Sequence, residues 1–246
     1  MSTQGLQHSG AQLVREQEVE RLIERLCSDL LERADQAIGA RGRFDLALSG
    51  GSTPRILFKR LVAREWRDRF PWDKVHIWQV DERVVPYSDE HSNWRMIEST
   101  LTGPLSLSPQ QLHPMPALDP DGPSVYESIL VGQTRGILDF ALLGMGGDGH
   151  TASLFPHSPA LGETRRLALF NDGETVAEPR PRLTLTYPAL RAARGLGVLV
   201  TGGDKREILS RVAASVGQAN VGDLPILGVV GPSLTWYVDG EALRVG

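Results

Sequence analysis

The stretch Asp139-Phe-Ala-Leu-Leu-Gly-Met-Gly-Gly-Asp-Gly-His150-Thr-Ala-Ser-Leu-Phe-Pro156 organises this 246-residue chain. Its apolar run, residues 140–143, is too short for a helix and is ended by glycines, which predicts a fully buried strand. Four glycines then follow within six residues, so the backbone can turn sharply and approach a ligand closely. Ligands of α/β sheets bind in loops after strands, and a histidine exchanges protons near pH 7. The loop with Asp148 and His150 is therefore the first candidate site.

The same loop also matches the dinucleotide-binding pattern G-x-G-x-x-G at residues 144–149. Asp172 lies 23 residues after the last of these glycines, near the position of a ribose-binding acid. The mechanism fits this pattern badly, because Asp148 would place a negative charge where a pyrophosphate has to sit. Pro156 and Pro159 also interrupt the segment that would have to form the long crossover helix. The sequence therefore argues against nicotinamide binding.

Composition excludes several classes of protein. The chain has 41% hydrophobic and 23% charged residues, which is ordinary for a globular protein with a sizeable core. A net charge of −4 disfavours general nucleic-acid binding, so an anionic ligand would need a few well-placed cations. Cys27 is the only cysteine and cannot form an internal disulfide. Neither a secretory signal nor a run of ~18 apolar residues is present, so we expect a cytoplasmic protein that binds no membrane.

Apolar periodicity predicts strands that alternate with helices along most of the chain. We expect a flexible N-terminus at residues 1–14, and then a long amphipathic helix from about Glu16 to Ala40. The predicted strands are residues 44–48, 75–80, 140–143, 167–170, 183–186, 196–200 and 234–238. This alternation implies a mainly parallel sheet covered by helices on both faces. We expect one α/β domain over residues 15–246, in which residues 102–123 form a surface loop.

A second glycine-rich loop joins the predicted strand 44–48 to a helix that begins near Pro54. Free backbone N–H groups and the helix dipole at such a position suit a phosphate group. The loop is not a Walker motif, because the G-K-[ST] ending is missing. A tight turn with an N-cap is the alternative, and we favour phosphate binding. The candidate binding residues are Ser49, Gly50, Gly51, Ser52 and Thr53.

Charged residues flank several other predicted strands. Asp81-Glu-Arg83 follows the strand at 75–80 and is equally typical of a solvated rim and of a site, where Arg83 could form a fork to a phosphate or carboxylate. Arg182 precedes a strand and Lys205 begins a helix after two glycines. Each of these two cations alone is more typical of a surface residue, but a phosphomonoester carries nearly two charges and usually needs such partners.

His150 completes the set of candidate residues. A loop histidine is more often hydrogen-bonded to backbone than catalytic, but the glycines and Asp148 around it reverse that preference. His91 could line the same site. No spacing of His, Glu or Asp indicates a metal site, and Ser52 lacks the G-x-S-x-G context of a serine hydrolase.

These motifs together resemble the 6-phosphogluconolactonase family. The resemblance rests on Leu48-Ser-Gly-Gly-Ser-Thr-Pro54, Asp81-Glu-Arg-Val-Val-Pro86 with Ser92-Asn-Trp-Arg-Met96, residues 143–156, Arg182-Leu-Thr-Leu-Thr186, Gly203-Asp-Lys205 and Trp236-Tyr-Val-Asp239. It implies a Rossmann-like three-layer α/β fold, which glucosamine-6-phosphate deaminases share. It also implies hydrolysis of 6-phospho-D-glucono-1,5-lactone to 6-phosphogluconate in the oxidative pentose phosphate pathway, without a cofactor.

The resemblance also implies roles for the candidate residues. Family precedent makes His150 the catalytic histidine, which would activate water as a general base and then protonate the leaving ring oxygen. Asp148 would orient the loop or the imidazole. Residues 49–53, Arg83, Arg182 and Lys205 would surround the anionic groups of the substrate, a small phosphorylated lactone.

Two alternatives stay open. A glucosamine-6-phosphate deaminase shares the fold, the phosphate loop and the Asp-Gly-His motif, but its motif continues to an Asn-Glu-Pro whose acid supports the histidine. Here Phe155 stands before Pro156, and Arg83 stands where deaminases usually have an aromatic residue, so both departures favour the lactonase. The second alternative is a non-catalytic sugar-phosphate sensor, although no DNA-binding helix-turn-helix is visible. The sequence leaves the oligomeric state open.

Overall fold

The computed structural model describes residues 4–7, 10–172, 181–218 and 220–243, and this part of the chain holds ten strands and nine α-helices. The strands are β1 (Gln12–Glu16), β2 (Phe44–Leu48), β3 (Val75–Gln79), β4 (Asp81–Arg83), β5 (Leu112–His113), β6 (Phe140–Leu143), β7 (Ala168–Asn171), β8 (Arg182–Leu185), β9 (Leu196–Val200) and β10 (Leu234–Asp239). The helices are α1 (Gln4–Gln7), α2 (Val19–Arg41), α3 (Ser52–Leu61), α4 (Arg64–Arg67), α5 (Asn93–Ile97), α6 (Gly122–Thr134), α7 (Tyr187–Ala192), α8 (Arg206–Ser215) and α9 (Gly240–Leu243). A π-helical turn, Glu98–Thr102, continues α5, and 3-10 turns lie at Trp72–Lys74, Pro109–Gln111, Pro159–Gly162, Gly203–Lys205 and Pro225–Val229.

Seven strands form one parallel sheet in the order β1-β10-β9-β6-β2-β3-β5. Successive residues of its central strands point to opposite faces. Leu46 and Leu142 pack with buried residues of α2 and α3, whereas Ala47 and Leu143 pack with buried residues of α6 and α8. The sheet is therefore the middle of three layers, which confirms the predicted Rossmann-like α/β fold.

The strand order reverses between β2 and β6. From β2 the chain runs outward to β3 and β5, and it then returns to β6 on the other side of β2, next to β9. Leu48 and Leu142 are direct partners, and the N–H of Ser49 donates to the carbonyl of Leu142 at 3.1 Å. Ligands of open α/β sheets bind outside the carboxyl ends of the strands at such a reversal. The two glycine-rich loops thus begin side by side where a ligand crevice is expected.

A second, antiparallel sheet with the order β4-β8-β7 was not predicted from the sequence. From the sequence alone, residues 81–83 are expected to form the charged end of the preceding strand. In the structure the N–H of Val80 still donates to the carbonyl of Leu48, and residues 81–83 then pair with β8, where Arg83 lies opposite Arg182. Three consecutive charged residues carry no apolar periodicity, so the sequence could not indicate this pairing.

Several boundaries differ from the sequence-based expectations. Residues 12–14, expected within a flexible N-terminus, belong to the edge strand β1, which pairs in parallel with β10. The predicted surface loop at residues 102–123 contains a 3-10 turn, the two-residue β5 and the start of α6. The polar loop predicted between 170 and 183 falls largely on residues 173–180, which lie outside the described residues. The single-domain organisation stays a prediction.

Among the described helices, none combines the length and the apolar character that a bilayer crossing requires.

Candidate active site

A cleft of about 480 Å³ opens at the carboxyl ends of β2, β6 and β9. Every predicted substrate-binding residue lines it, and so does His150; Asp148 lies directly behind His150. The residues that line the cleft are Ser49 to Pro54, Ile56, Asp81, Arg83, Asn93, Gly144 to Gly146, His150, Ala152, Arg182, Leu199, Thr201, Asp204 and Lys205. The structure thus collects six separate chain segments into one site.

The loop at residues 49–53 meets the N-terminus of α3. Gly51 has φ 110°, a backbone conformation that favours glycine, and no side chain caps the first turn of the helix. The first N–H groups of α3 therefore remain for a ligand, with the positive end of the helix dipole behind them. Gly50 is also required, because a Cβ atom there would lie 1.8 Å from Oδ1 of Asn93. Ser49 contributes a buried hydroxyl that has no hydrogen-bond partner among the described residues.

His150 and Asp148 form a hydrogen-bonded pair. Nδ1 of His150 lies 2.6 Å from Oδ1 of Asp148, and the same oxygen accepts the backbone N–H of His150 at 3.1 Å. An ionised carboxylate only accepts hydrogen bonds, so Nδ1 carries the proton and Nε2 of a neutral ring keeps its lone pair. Gly146 makes this arrangement possible, because a Cβ atom there would lie 2.2 Å from Nδ1. The arrangement thus leaves Nε2 as the ring nitrogen with a free lone pair.

The ionisation of Asp148 supports this assignment of the tautomer. Partial burial raises the pKa of the carboxyl group, but hydrogen bonds and charge from His150 lower it by more. The net pKa of Asp148 is therefore below its usual value, and the group is a carboxylate at neutral pH. A carboxylate at Nδ1 also stabilises the imidazolium that forms when Nε2 accepts a proton.

Arg83 and Arg182 both line the cleft from neighbouring strands. They are direct partners across β4 and β8, and like charges in such positions destabilise a sheet. The carboxylate of Asp81, which lies 3.9 Å from Nη1 of Arg182, offsets part of this charge and is held by the hydroxyl of Ser153 at 2.6 Å. A pair of arginines in a cleft wall suits a multiply charged anion.

Lys205 supplies a third cation from the turn that precedes α8. Its ammonium lies 3.9 Å from the carboxylate of Asp204, whose side chain is 75% exposed. Such an exposed pair is worth little, so the ammonium of Lys205 remains available for an anionic ligand in the cleft. Gly202, with φ 92°, allows the sharp turn that brings Lys205 there.

Phe155 occupies the position beside His150. It is 1% exposed, its ring meets the imidazole edge-on at a centroid distance of 5.1 Å, and the guanidinium of Arg182 lies 5.9 Å from its centroid. An apolar ring therefore fills the position at which the deaminase motif has an acidic residue. His91 does not line the cleft; its ring contacts Asp89 instead.

Sequence reasoning missed several residues of the site. Asn93 appears in the sequence analysis only within a stretch that carries the family resemblance, yet its side chain lies in the cleft wall and accepts a hydrogen bond from Arg83. Glu82 was noted only as a charge at a strand end, yet it is fully buried. No local pattern reveals either role, since both depend on the turn that folds β4 back onto α5. Within the described residues, no three His, Cys, Asp or Glu side chains are grouped to hold a metal ion.

A parallel α/β sheet that brings a glycine-rich loop at a helix N-terminus, three cations and a histidine–carboxylate pair to its strand-order reversal is typical of α/β proteins that bind small anionic ligands. Comparison with known families is more specific. The chain belongs to the Glucosamine-6-phosphate isomerases/6-phosphogluconolactonase family, whose profile matches residues 17–236.

Individual relatives agree with this assignment. The chain is 38% identical over 203 residues to a 6-phosphogluconolactonase of a Nostoc species, covering 78% of this chain and 81% of the relative. It is 39% identical over 232 residues to the GDH/6PGL endoplasmic bifunctional protein of Oryctolagus cuniculus, but its matched part, 90% of this chain, spans only 28% of that longer protein. The crystal structure of a 6-phosphogluconolactonase from Thermotoga maritima superposes with a TM-score of 0.80 at 25% identity, over 93% of this chain and 99% of that one.

Proposed function

We propose that the chain is a 6-phosphogluconolactonase, which hydrolyses 6-phospho-D-glucono-1,5-lactone to 6-phospho-D-gluconate in the oxidative pentose phosphate pathway. Relatives with this name cover most of the chain at 36–38% identity. The observation that carries the proposal is that one cleft holds both a proton-accepting pair, Asp148 and His150, and an anion-binding loop with nearby cations. A phosphorylated ester needs both parts.

Substrate binding is assigned first to the phosphate. The 6-phosphate docks on residues 49–53 at the N-terminus of α3, where backbone N–H groups and the helix dipole favour an anion. Arg182 and Lys205 neutralise its charge. Fixing the phosphate in this way holds the lactone carbonyl near His150, which converts a bimolecular encounter into an oriented reaction.

Hydrolysis then needs one proton acceptor. Nε2 of neutral His150 takes a proton from water while the water oxygen attacks C1 of the lactone. The tetrahedral intermediate carries an oxyanion, for which Arg83 and backbone N–H groups of the glycine loop are the candidate donors. The intermediate collapses, the bond from C1 to the ring oxygen breaks, and the imidazolium gives its proton to that oxygen. His150 is neutral again, and the new carboxylic acid ionises and releases one proton.

Asp148 acts through His150 and does not touch the substrate in this scheme. It fixes the proton on Nδ1, so that Nε2 stays the basic nitrogen, and it stabilises the imidazolium between the two proton transfers. Because a lactone is an activated ester, water is a sufficient nucleophile and the scheme needs no covalent intermediate.

The proposal is tested by acid release from freshly generated 6-phosphogluconolactone. The wild type should accelerate release well above the spontaneous rate, and His150→Ala should lower kcat by roughly 10²–10⁴-fold, the usual contribution of general acid–base catalysis. Spontaneous hydrolysis without enzyme is the essential control. No acceleration by the wild type would refute the lactonase assignment, and release of ammonia from glucosamine 6-phosphate would then point to deamination.

A further inference from the structure

Glu82 is a fully buried carboxylate to which the proposed mechanism gives no role. It receives five hydrogen bonds, and the donors are the side chains of Gln79 at 2.9 Å and Ser92 at 3.1 Å and the backbone N–H groups of Arg83, Asn93 and Trp94, each at 2.7 Å. All five contacts are donors, so both carboxylate oxygens act as acceptors. A buried charge is tolerated only when it is satisfied in this way.

These contacts tie two parts of the cleft wall together. Oε1 of Glu82 holds the backbone of Arg83 in β4 and that of Asn93 in α5, which are ten residues apart in sequence. Oε2 completes the cap at the N-terminus of α5, together with the hydroxyl of Ser92. Glu82 therefore fixes the spacing between β4 and α5 behind the cleft.

Asn93 continues the connection from the backbone to the guanidinium of Arg83. Its Oδ1 accepts from Nη1 of Arg83 at 2.5 Å, and its Nδ2 donates to the carbonyl of Asp81 at 2.9 Å, so both ends of the amide are fixed. The side chain is 2% exposed and lies against Gly50, where a Cβ atom would collide with Oδ1. Asn93 thus contacts Arg83, the backbone of β4 and the anion-binding loop at once.

These contacts use only one terminal nitrogen of the Arg83 guanidinium. Nη1 is fully used by Asn93 and by the carbonyl of His91 at 2.7 Å. Nη2 makes no hydrogen bond to any residue that the structure describes, and Arg83 lines the cleft. The guanidinium is therefore held by one nitrogen and presents another to a ligand.

We infer that Glu82 and Asn93 are positioning residues, which hold Arg83 beside the anion-binding loop so that its guanidinium donates to a substrate oxygen. The inference rests on the proposed function for the identity of that substrate. Neither residue touches the substrate, and each acts through Arg83. A displacement of about 1 Å in such a group can cost roughly 10²-fold in rate, so the two residues should matter as much as a direct contact.

The test compares kcat and KM of Glu82→Gln and Asn93→Ala with the wild type. An amide at position 82 places a donor against donors, and alanine at position 93 releases Nη1 of Arg83. Each variant should lower kcat/KM by roughly 10- to 100-fold. Asp139→Asn is the matched control, because it removes another buried carboxylate at the opposite end of the sheet and should leave kcat/KM unchanged.

A double-mutant cycle separates positioning from a general loss of structure. In an Arg83→Met background, Glu82→Gln should change kcat/KM by less than about twofold, since the group through which it acts is gone. Independent, multiplicative losses would overturn the inference. Should Glu82→Gln not fold, the same cycle with Asn93→Ala decides the question.

Calorimetric binding of 6-phosphogluconate keeps this test separate from that of the proposed function. If the wild type hydrolyses no lactone but binds 6-phosphogluconate, the proposed reaction fails, and weaker binding by Asn93→Ala than by Asp139→Asn still supports positioning. Unchanged kinetics and unchanged binding in folded Glu82→Gln and Asn93→Ala would refute it.

Discussion

The two ends of the parallel sheet both carry buried carboxylates and arginines, but they use them differently. At the amino ends of the strands, Asp139 accepts hydrogen bonds from Arg41 and lies 3.3 Å from Arg194, and Asp45 accepts from Arg43 and from Trp78. Each of these charges is matched by a neighbour. At the carboxyl ends, Arg83, Arg182 and Lys205 line an open cleft.

Glycines account for much of this difference. At the carboxyl ends, Gly50 and Gly146 leave space in which a Cβ atom would lie within 2.2 Å of the side chain of Asn93 or His150. Polar groups can therefore crowd together there without filling the cleft. The charges at the amino ends therefore pair within the protein, whereas the cations at the carboxyl ends line a cleft that suits an anionic ligand.

The largest effect that tests this contrast is on catalysis. Asp148→Asn should lower kcat by roughly 10²–10⁴-fold, because an amide can donate to Nδ1 and move the proton of His150 to Nε2. The half-buried side chain should leave the thermal midpoint Tm almost unchanged. Steady-state kinetics and thermal unfolding of the purified variant check both parts. A kcat within twofold of the wild type would show that the pair does not act as a unit.

The reverse result is expected at the other end of the sheet. Asp139→Asn leaves Arg41, Arg194 and the N–H of Asp45 with a poorer acceptor, and weakened hydrogen bonds to a buried charge cost about 1.5–3 kcal/mol of unfolding free energy. Kinetic constants per folded molecule should not change. Urea denaturation measures the loss, and Lys74→Ala, which breaks only an exposed pair with Asp73, should be nearly neutral. Equal stabilities of the two variants would contradict the contrast.

Acid stability provides a third test, again at the amino ends. His113 stacks on Trp78, and its Nε2 lies 3.1 Å from Nδ1 of His76. Burial, then the charges of His76 and Arg43, lower the pKa of His113 from 6.5 to about 4. Below pH 6.5 His113 is protonated in the unfolded chain but stays neutral in the folded protein until the pH approaches 4.

The contribution of neutral His113 to the free energy of unfolding is therefore fully present above pH 6.5 and is lost as the pH falls towards 4. The loss amounts to at most about 3 kcal/mol at 1.36 kcal/mol per unit of pKa. Urea denaturation between pH 7.5 and about pH 4 should show this slope. His113→Phe keeps the ring stacked on Trp78 but cannot titrate, so its curve should be flatter. Parallel curves for the two proteins would rule out His113 as the cause.

Local patterns in the sequence were sufficient to predict the central strands and both glycine-rich loops. A short apolar run ended by glycines needs no tertiary information, and the loops at residues 49–53 and 144–150 follow such runs. The carboxyl ends of neighbouring parallel strands lie at one edge of the sheet. The candidate cleft therefore followed from the order of elements, and Lys205 and Arg182 reach it from the elements where they were expected.

Tertiary pairing decided what the sequence could not indicate. β4 is three charged residues whose partner, β8, lies a hundred residues further along the chain. β1 is mostly polar and becomes a strand because it pairs with β10. Glu82 and Asn93 become a unit only because the chain turns between β4 and α5. In each case a contact between residues distant in sequence stabilises the element. Such a contact produces no local pattern of apolar and polar residues.

Changes to the cations of the cleft should affect substrate affinity, with a smaller effect than the changes to catalysis. Lys205→Ala removes an ammonium that is held only by an exposed carboxylate, so the fold loses little. A charge-assisted hydrogen bond to phosphate is worth about 1.5 kcal/mol or more, and KM should rise roughly tenfold while kcat changes little. Arg206 is the next residue, but its guanidinium donates to the carbonyl of Glu241. Arg206→Ala is therefore the matched control. An unchanged KM for Lys205→Ala would mean that the phosphate binds elsewhere.

The smallest predicted effect concerns two glycines at the end of α2, close to the amino ends of the sheet. Their substitution distinguishes the effect of free space for a side chain from the effect of a positive φ. Both Gly39 and Gly42 have room for a Cβ atom, with no other atom within 4 Å. Gly39 lies inside the helix, so Gly39→Ala should raise the free energy of unfolding by about 0.5–1 kcal/mol. Gly42 ends the helix with φ 81°, so Gly42→Ala should lower it by about 1 kcal/mol. Urea denaturation of both variants measures the difference. Equal changes in unfolding free energy for the two variants would mean that only free space decides where the fold requires glycine. The backbone role assigned to Gly51 and Gly202, which also have positive φ, would then be wrong.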